Sequence, residues 1–184
     1  TNGLSNGIIP FLHSLDANIA AVTQGGKRKG AAAVYLEPWH PDIFEFLELR
    51  DNTGDPEKRA YNLNLANWIP DLFMKRLKQS VEGNQDIMWS LIDPSVAPEL
   101  PDLYGEEFEK RYLQLEEEKK YARQVPIKDL FSRMLRTLSE TGNGWMCFKD
   151  ISNVRCNSAE KEIGRIGSSN LCTEILQPNS SGKF

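Results

Sequence analysis

The sequence has no apolar run approaching the roughly 18 residues of a membrane-spanning helix. Its first residues, Thr1-Asn2-Gly3-Leu4-Ser5-Asn6-Gly7, carry neither the basic nor the apolar region of a secretory signal. Cysteine is scarce. The three thiols, Cys147, Cys156 and Cys172, are odd in number and lack metal-ligand spacing. This argues against a secreted disulfide framework and fits a reducing, cytoplasmic setting, with no metal held by the chain itself. A basic excess is absent as well: 22 Lys and Arg stand against 26 Asp and Glu, a net charge of −4. A general nucleic-acid-binding surface is therefore not expected. There is no internal repeat, no low-complexity tract and no Gly-x-x-x-x-Gly-Lys-[Ser/Thr] phosphate loop. An initiator Met is also missing, so the chain reads as cut from something longer.

What is present is an ordinary globular composition. The 184 residues are 40% hydrophobic and 26% charged, enough for one domain with a sizeable core. Apolar spacing predicts helices over 8–22, 41–49, 70–79, 106–123 and 126–141, the last closed by Gly142. Short apolar or alternating runs predict strands over 31–36, 61–67, 87–92 and 145–148. Residues 1–7, 24–30, 51–58 and 153–167 read as loops. Strand and helix alternate, the pattern of an α/β fold with a largely parallel sheet. In the charged helix 106–123, Phe108, Tyr112 and Leu115 form one apolar stripe on an otherwise solvated surface element.

The most informative stretch is Ser168-Ser169-Asn170-Leu171-Cys172-Thr173-Glu174-Ile175. Asn170, Cys172 and Glu174 alternate, so an extended backbone over 168–176 puts a carboxamide, a thiol and a carboxylate on one side. Leu171, Thr173 and Ile175 then face the other way, toward a core. A thiol can donate a hydrogen atom or act as a nucleophile, a carboxylate can serve as a base, and a carboxamide can orient a substrate hydroxyl. Alone, this octet could occur in any buried strand.

Three further stretches accompany it: Gln24-Gly25-Gly26-Lys27-Arg28-Lys29-Gly30-Ala31, Tyr35-Leu36-Glu37-Pro38-Trp39-His40-Pro41-Asp42-Ile43-Phe44-Glu45-Phe46-Leu47, and Trp68-Ile69-Pro70-Asp71-Leu72-Phe73-Met74. In this order and spacing, the four stretches resemble the large catalytic subunit of ribonucleotide reductase. The resemblance runs from Thr1 to about Gln177, and its wording is most similar to the oxygen-dependent class.

The resemblance implies a single partial domain, 1–184, truncated at both ends. It would be a piece of the family's ten-stranded α/β barrel, with the catalytic cysteine on an inner loop near 168–176. It implies reduction of ribonucleoside diphosphates to deoxyribonucleotides. Cys172 would become a thiyl radical that removes the 3′ hydrogen atom, and Glu174 would be the general base for the 3′-OH. Asn170 would position a ribose hydroxyl and bond the Glu174 side chain, with Ser169 beside it in the substrate site. It also implies effector loops near 1–7 and 24–30, where Gln24, Gly25, Gly26, Lys27 and Arg28 would relay the identity of a deoxynucleotide or ATP effector; read from its residues alone, 24–30 is a flexible basic turn.

Asn2, Gly3 and Asn6 match the end of the other effector loop. The implied partners are a separate metal-containing, radical-generating small subunit, thioredoxin or glutaredoxin as external reductant, the rest of the large subunit, and a second copy in a homodimer. The family's reducing cysteine pair would lie outside the segment, because Cys147 reads as core and Cys156 as a loop thiol. The segment alone is therefore expected to be inactive. Trp39, His40 and Trp68 read as packing and capping residues. A cobalamin-dependent relative and a non-catalytic nucleotide- or partner-binding fragment stay open as alternatives.

Overall fold

The computed structural model describes residues 6–156 and 164–179. Helix α1 (Ile9–Ala21) carries Pro10 in its first turn, where the missing N–H costs nothing. It leads into a hairpin, β1 (Thr23–Gln24) and β2 (Arg28–Lys29), and then into β3 (Ala32–Leu36). A short helix α2 (Ile43–Leu47) precedes β4 (Leu63–Ile69) and α3 (Asp71–Glu82). Next come β5 (Met88–Leu91), α4 (Gly105–Glu117), β6 (Arg123–Pro126), α5 (Ile127–Thr141), β7 (Trp145–Phe148) and α6 (Lys149–Arg155).

Two segments depart from the expected layout. The charged helix stops at Glu117, Lys119 adopts φ 54°, and 123–126 turns back as a strand. Its predicted stripe is real, because Phe108, Tyr112 and Leu115 are fully buried. Residues 149–152, for which no element was expected, and 153–155, expected as the start of the polar loop, form α6 instead. At α5 the sequence signal holds: Gly142 caps it at φ 68°, where a side chain would be strained, and donates its N–H to Leu138 O at 2.9 Å.

The parallel sheet is three-stranded, in the order β3-β4-β7. Val34 pairs with Leu65, Tyr35 with Ala66, Ala66 with Trp145 and Trp68 with Cys147. The hairpin β1-β2 and the pair β5-β6 are antiparallel, so the expected parallel order belongs to the central sheet alone.

Alternation along these strands divides the sheet into two faces. Leu63, Leu65 and Ile69, with Val34, Leu36 and Met146 beside them, pack into the main apolar core among Phe46, Leu47, Phe73, Leu130 and Met134. That core lies between the sheet and helices α2, α3 and α5. The opposite face presents Tyr35, Ala66, Trp68, Trp145 and Cys147, none of which joins that core.

Candidate active-site loop

The polar octet lies over the second face of the sheet, on a loop held by hydrogen bonds at three levels. At its root, Asn153 of α6 reads both backbone groups of Ile166. Ile166 N donates to Asn153 Oδ1 at 2.8 Å, and Asn153 Nδ2 donates to Ile166 O at 3.0 Å. Asn153 and Ile166 are both buried. At its base, Asn179 closes the loop: its N–H donates to Arg165 O at 3.1 Å, its Oδ1 accepts from Gly167 N at 2.7 Å, and its Nδ2 donates to Ser168 Oγ at 2.7 Å. Arg165 also pairs with Asp102. At its crown, the Tyr35 hydroxyl reaches across 135 positions and donates to Asn170 O at 2.8 Å.

Within the loop, Asn170 is a hub. Its carbonyl accepts from Thr173 N at 3.3 Å, closing a tight turn around Leu171 and Cys172. Its Oδ1 accepts from Ile175 N at 3.0 Å. Ser169 Oγ lies 2.7 Å from Ile175 O and 3.2 Å from Asn170 Oδ1. A hydroxyl has one proton, and the shorter contact to Ile175 O takes it.

This geometry corrects the extended reading of 168–176. Thr173 sits at φ 62°, so the chain turns between Asn170 and Thr173 and the two-residue alternation is lost there. Asn170, Cys172 and Glu174 are consequently not aligned on one face. Cys172 and Glu174 are exposed, as are Leu171 (37%) and Ile175 (47%), which the alternation had assigned to a core. The Asn170 carboxamide is bonded to Ile175 and not to Glu174.

The physical reason lies in Asn170. A short polar side chain that captures a nearby backbone N–H stabilises a turn in competition with an extended strand.

Beneath the loop, Tyr35 stands edge-on to Trp68 (centroids 5.8 Å apart, 86°) and to Trp145 (6.3 Å, 82°). Burial raises the Tyr35 phenol above its ordinary range, with smaller opposing contributions from Trp145 and Ser169. Burial likewise pushes the Cys147 thiol up. Cys147 is half-buried on this face, and Cys156, also half-buried, follows α6.

A small cleft of about 200 Å³ opens beside the loop root, with Tyr35, Trp68, His40, Arg165 and Gly167 on its walls. Trp39 and Trp68 are buried, and His40 Nδ1 accepts from Asp42 N at 3.1 Å, in keeping with packing and capping roles.

Where β3 and β7 end, Glu37 and Lys149 form a buried ion pair at 2.7 Å. Lys149 Nζ also donates to Leu100 O at 3.3 Å, and Glu37 Oε2 accepts from Trp39 Nε1 at 2.6 Å. Desolvation pushes both toward their neutral forms, Glu37 up and Lys149 down, and each is held back mainly by the other's charge.

The second predicted site, 24–30, is the hairpin. Gly25 and Gly26 take φ 59° and 70° at its tip, with Lys27 completing the turn. Open space surrounds both glycines. Arg28 pairs with Gln24 in backbone register and is exposed, while the Gln24 side chain lies outside what the structure describes. At the base of the hairpin, Gly30 N donates to Val22 O at 2.7 Å. No hydrogen bond joins the loop and the hairpin among the described residues. Of the first predicted effector loop, Asn2 and Gly3 lie outside the described residues. Asn6 lines an acidic cleft of about 660 Å³ with His13, Asp42, Glu45 and Glu57.

Among the described residues no group of three His, Cys, Asp or Glu side chains is placed to hold a metal. No helix there is long and apolar enough to cross a membrane.

Sequence reasoning gave no role to Tyr35, Asn153 or Asn179. Tyr35 could have been found, since it stands at the inward-facing position of a strand inside a recognised stretch. Asn153 and Asn179 carry no signal in sequence, because their partners are backbone groups.

Comparison with known proteins then gives a family and relatives that share it. The family described as "Ribonucleotide reductase, barrel domain" matches residues 1–183. The ribonucleoside-diphosphate reductase subunit alpha of Chlamydia trachomatis serovar D is 51% identical over 181 residues, covering 96% of this chain and 16% of the relative. The large chain of Neurospora crassa is 49% identical over 178 residues, covering 96% and 18%. The large subunit of Arabidopsis thaliana is 48% identical over 181 residues, covering 98% and 21%. The chain thus spans about a fifth of the length of the curated relatives it matches.

Proposed function

The chain belongs to the ribonucleotide reductase family through its barrel domain, and on that premise we propose that residues 1–184 are part of the catalytic barrel of a ribonucleoside-diphosphate reductase large subunit. The single observation that carries this reading is the loop of Asn170, Cys172 and Glu174, tethered by Tyr35 to the sheet face that the helical core leaves uncovered.

In this reading Cys172, as a thiyl radical, takes the 3′ hydrogen atom of a bound ribonucleotide. An S–H bond forms as the C3′–H bond breaks. Glu174 accepts the 3′-OH proton, and the neighbouring 2′ carbon is thereby activated to lose its hydroxyl as water, the added proton coming from the reducing thiols outside this segment. S–H and activated ribose C–H bonds are similar in strength, so the transfer is reversible at the end of the cycle. Asn170 and Ser169 position the ribose.

The exposed tip of the loop suits this role only within a complete barrel, where the remaining strands would enclose it and shield the radical from water. The radical itself would come from a separate metal-containing small subunit. The reducing thiols and the external reductant, thioredoxin or glutaredoxin, would act from outside this segment.

The hairpin 24–30 is the proposed specificity element. Two glycines at positive φ let its tip change shape, and Lys27 and Arg28 supply charge toward a nucleotide effector. Asn6 would belong to the neighbouring effector loop. The full subunit would work as a homodimer.

The test is Cys172→Ser in the full-length large subunit with its small subunit. O–H is a much stronger bond than S–H, so deoxynucleotide formation should vanish, whereas Cys156→Ser should leave it near wild type. Equal loss from both substitutions refutes the assignment.

A further inference from the structure

Building on that reading of 168–176, we propose that Tyr35 is a positioning residue for the Cys172 loop, setting through its hydroxyl the height at which the thiol stands above the sheet. Among the described residues, Tyr35 is the one sheet residue hydrogen-bonded to this stretch.

Its oxygen is well placed for the task. The ring stands on β3, in register with Ala66, and is held edge-on by Trp68 and Trp145. Two indoles at about 6 Å restrict the ring's tilt, so the hydroxyl is located by the sheet and not by the loop.

The bond it makes falls on the hub. Asn170 O accepts from Tyr35 and also from Thr173 N, and Asn170 Oδ1 accepts from Ile175 N. Cys172 lies inside the turn that these two bonds close. A shift of Asn170 therefore carries Cys172 and Glu174 with it.

A hydrogen-atom transfer is steeply sensitive to donor–acceptor separation, and a small misplacement of a reacting group is costly in rate. Losing the hydroxyl should thus slow chemistry without loosening nucleotide binding. The O–H stays protonated through neutral pH, since burial raises the phenol further from it.

The experiment uses the full-length large subunit with its small subunit. Tyr35→Phe removes one oxygen and keeps the ring between the indoles. It should lower kcat about tenfold, in line with the loss of one part-buried hydrogen bond, with KM and effector Kd unchanged. The isotope effect with 3′-deuterated substrate should rise as hydrogen abstraction becomes slower. Replacing Tyr35 with 3-fluorotyrosine, which keeps the O–H, should restore kcat.

A wild-type kcat and isotope effect for Tyr35→Phe overturn the proposal. So does a parallel loss of KM, effector binding and unfolding midpoint, which marks a merely structural residue. If Cys172→Ser still makes deoxynucleotide, the reading of the site fails and this proposal with it. An inactive Cys172→Ser beside a normal Tyr35→Phe refutes the role of Tyr35 alone.

Discussion

Replacing Asn153 with Ala should release the active-site loop from its root. The side chain makes three bonds: to Lys149 O at 2.9 Å, to Ile166 O at 3.0 Å and from Ile166 N at 2.8 Å. The two with Ile166 are lost to the loop, at about 1 kcal/mol each. The truncation also leaves the N–H and C=O of Ile166 without a partner in a site where that residue is 1% exposed. Part of their desolvation adds to the loss, for a total of about 3 kcal/mol. Local opening should then be about a hundredfold more frequent.

Hydrogen exchange of the full-length subunit, read on peptides covering 164–179, measures this directly. Ser152→Ala is the control, because half-buried Ser152 of the same helix donates its hydroxyl to Phe148 O at the end of β7 and not to the loop. Unchanged protection of the Ile166 amide in Asn153→Ala would refute the idea that this carboxamide roots the loop.

Three further outcomes are expected. Arg28→Ala and Gln24→Ala should change which substrate each effector favours more than they change total capacity; competition assays with four substrates check this, and a uniform fall across all pairs points to misfolding instead. Lys149→Ala should cost about 3–5 kcal/mol, because it strands Glu37 beside a buried site, and the double variant with Glu37→Gln should recover part of it in thermal unfolding. The effect of Tyr35→Phe should be flat from pH 6 to 9. The folded pKa is raised, so the hydroxyl's contribution is fully present below the ordinary phenol value of about 10 and fades only as pH climbs through the higher folded value.

Much of the framework could be read from residue patterns. The alternation in 61–67 located β4, the Pro126-to-Gly142 interval located α5, and the stripe of Phe108, Tyr112 and Leu115 identified a buried face. What escaped reading was competition between local options. The two-residue period of 168–176 is compatible with a strand, but Asn170 can also satisfy backbone donors within its own loop, and that contact decides the conformation. Helix α4 ended early for a similar reason. Nothing in its charged run forbids continuation to Arg123, but the edge of β5 offers 123–126 a ladder of hydrogen bonds, with Trp89 opposite Val125 and Leu91 opposite Arg123. Such long-range partners leave no periodicity in the sequence. The chemical types at the candidate site were legible, whereas their mutual orientation depended on tethers from β3 and α6.

The three carboxamides that moor the loop, Asn153, Asn170 and Asn179, have a thermodynamic consequence. They carry no charge at any pH and hold backbone through directional bonds, not through apolar burial. Leu171 and Ile175 are already partly exposed, so the apolar surface that lifting 168–176 uncovers is mainly the aromatic face beneath it, around Tyr35 and Trp68. Such an opening has a much smaller denaturant slope and heat-capacity change than unfolding of the core, because both scale with exposed area. The loop should therefore open along a shallow urea slope, while the sheet beneath it opens only along a steep one. Exchange measured across a urea series would separate the two as distinct cooperative units, one governed by hydrogen bonds and the other by the core.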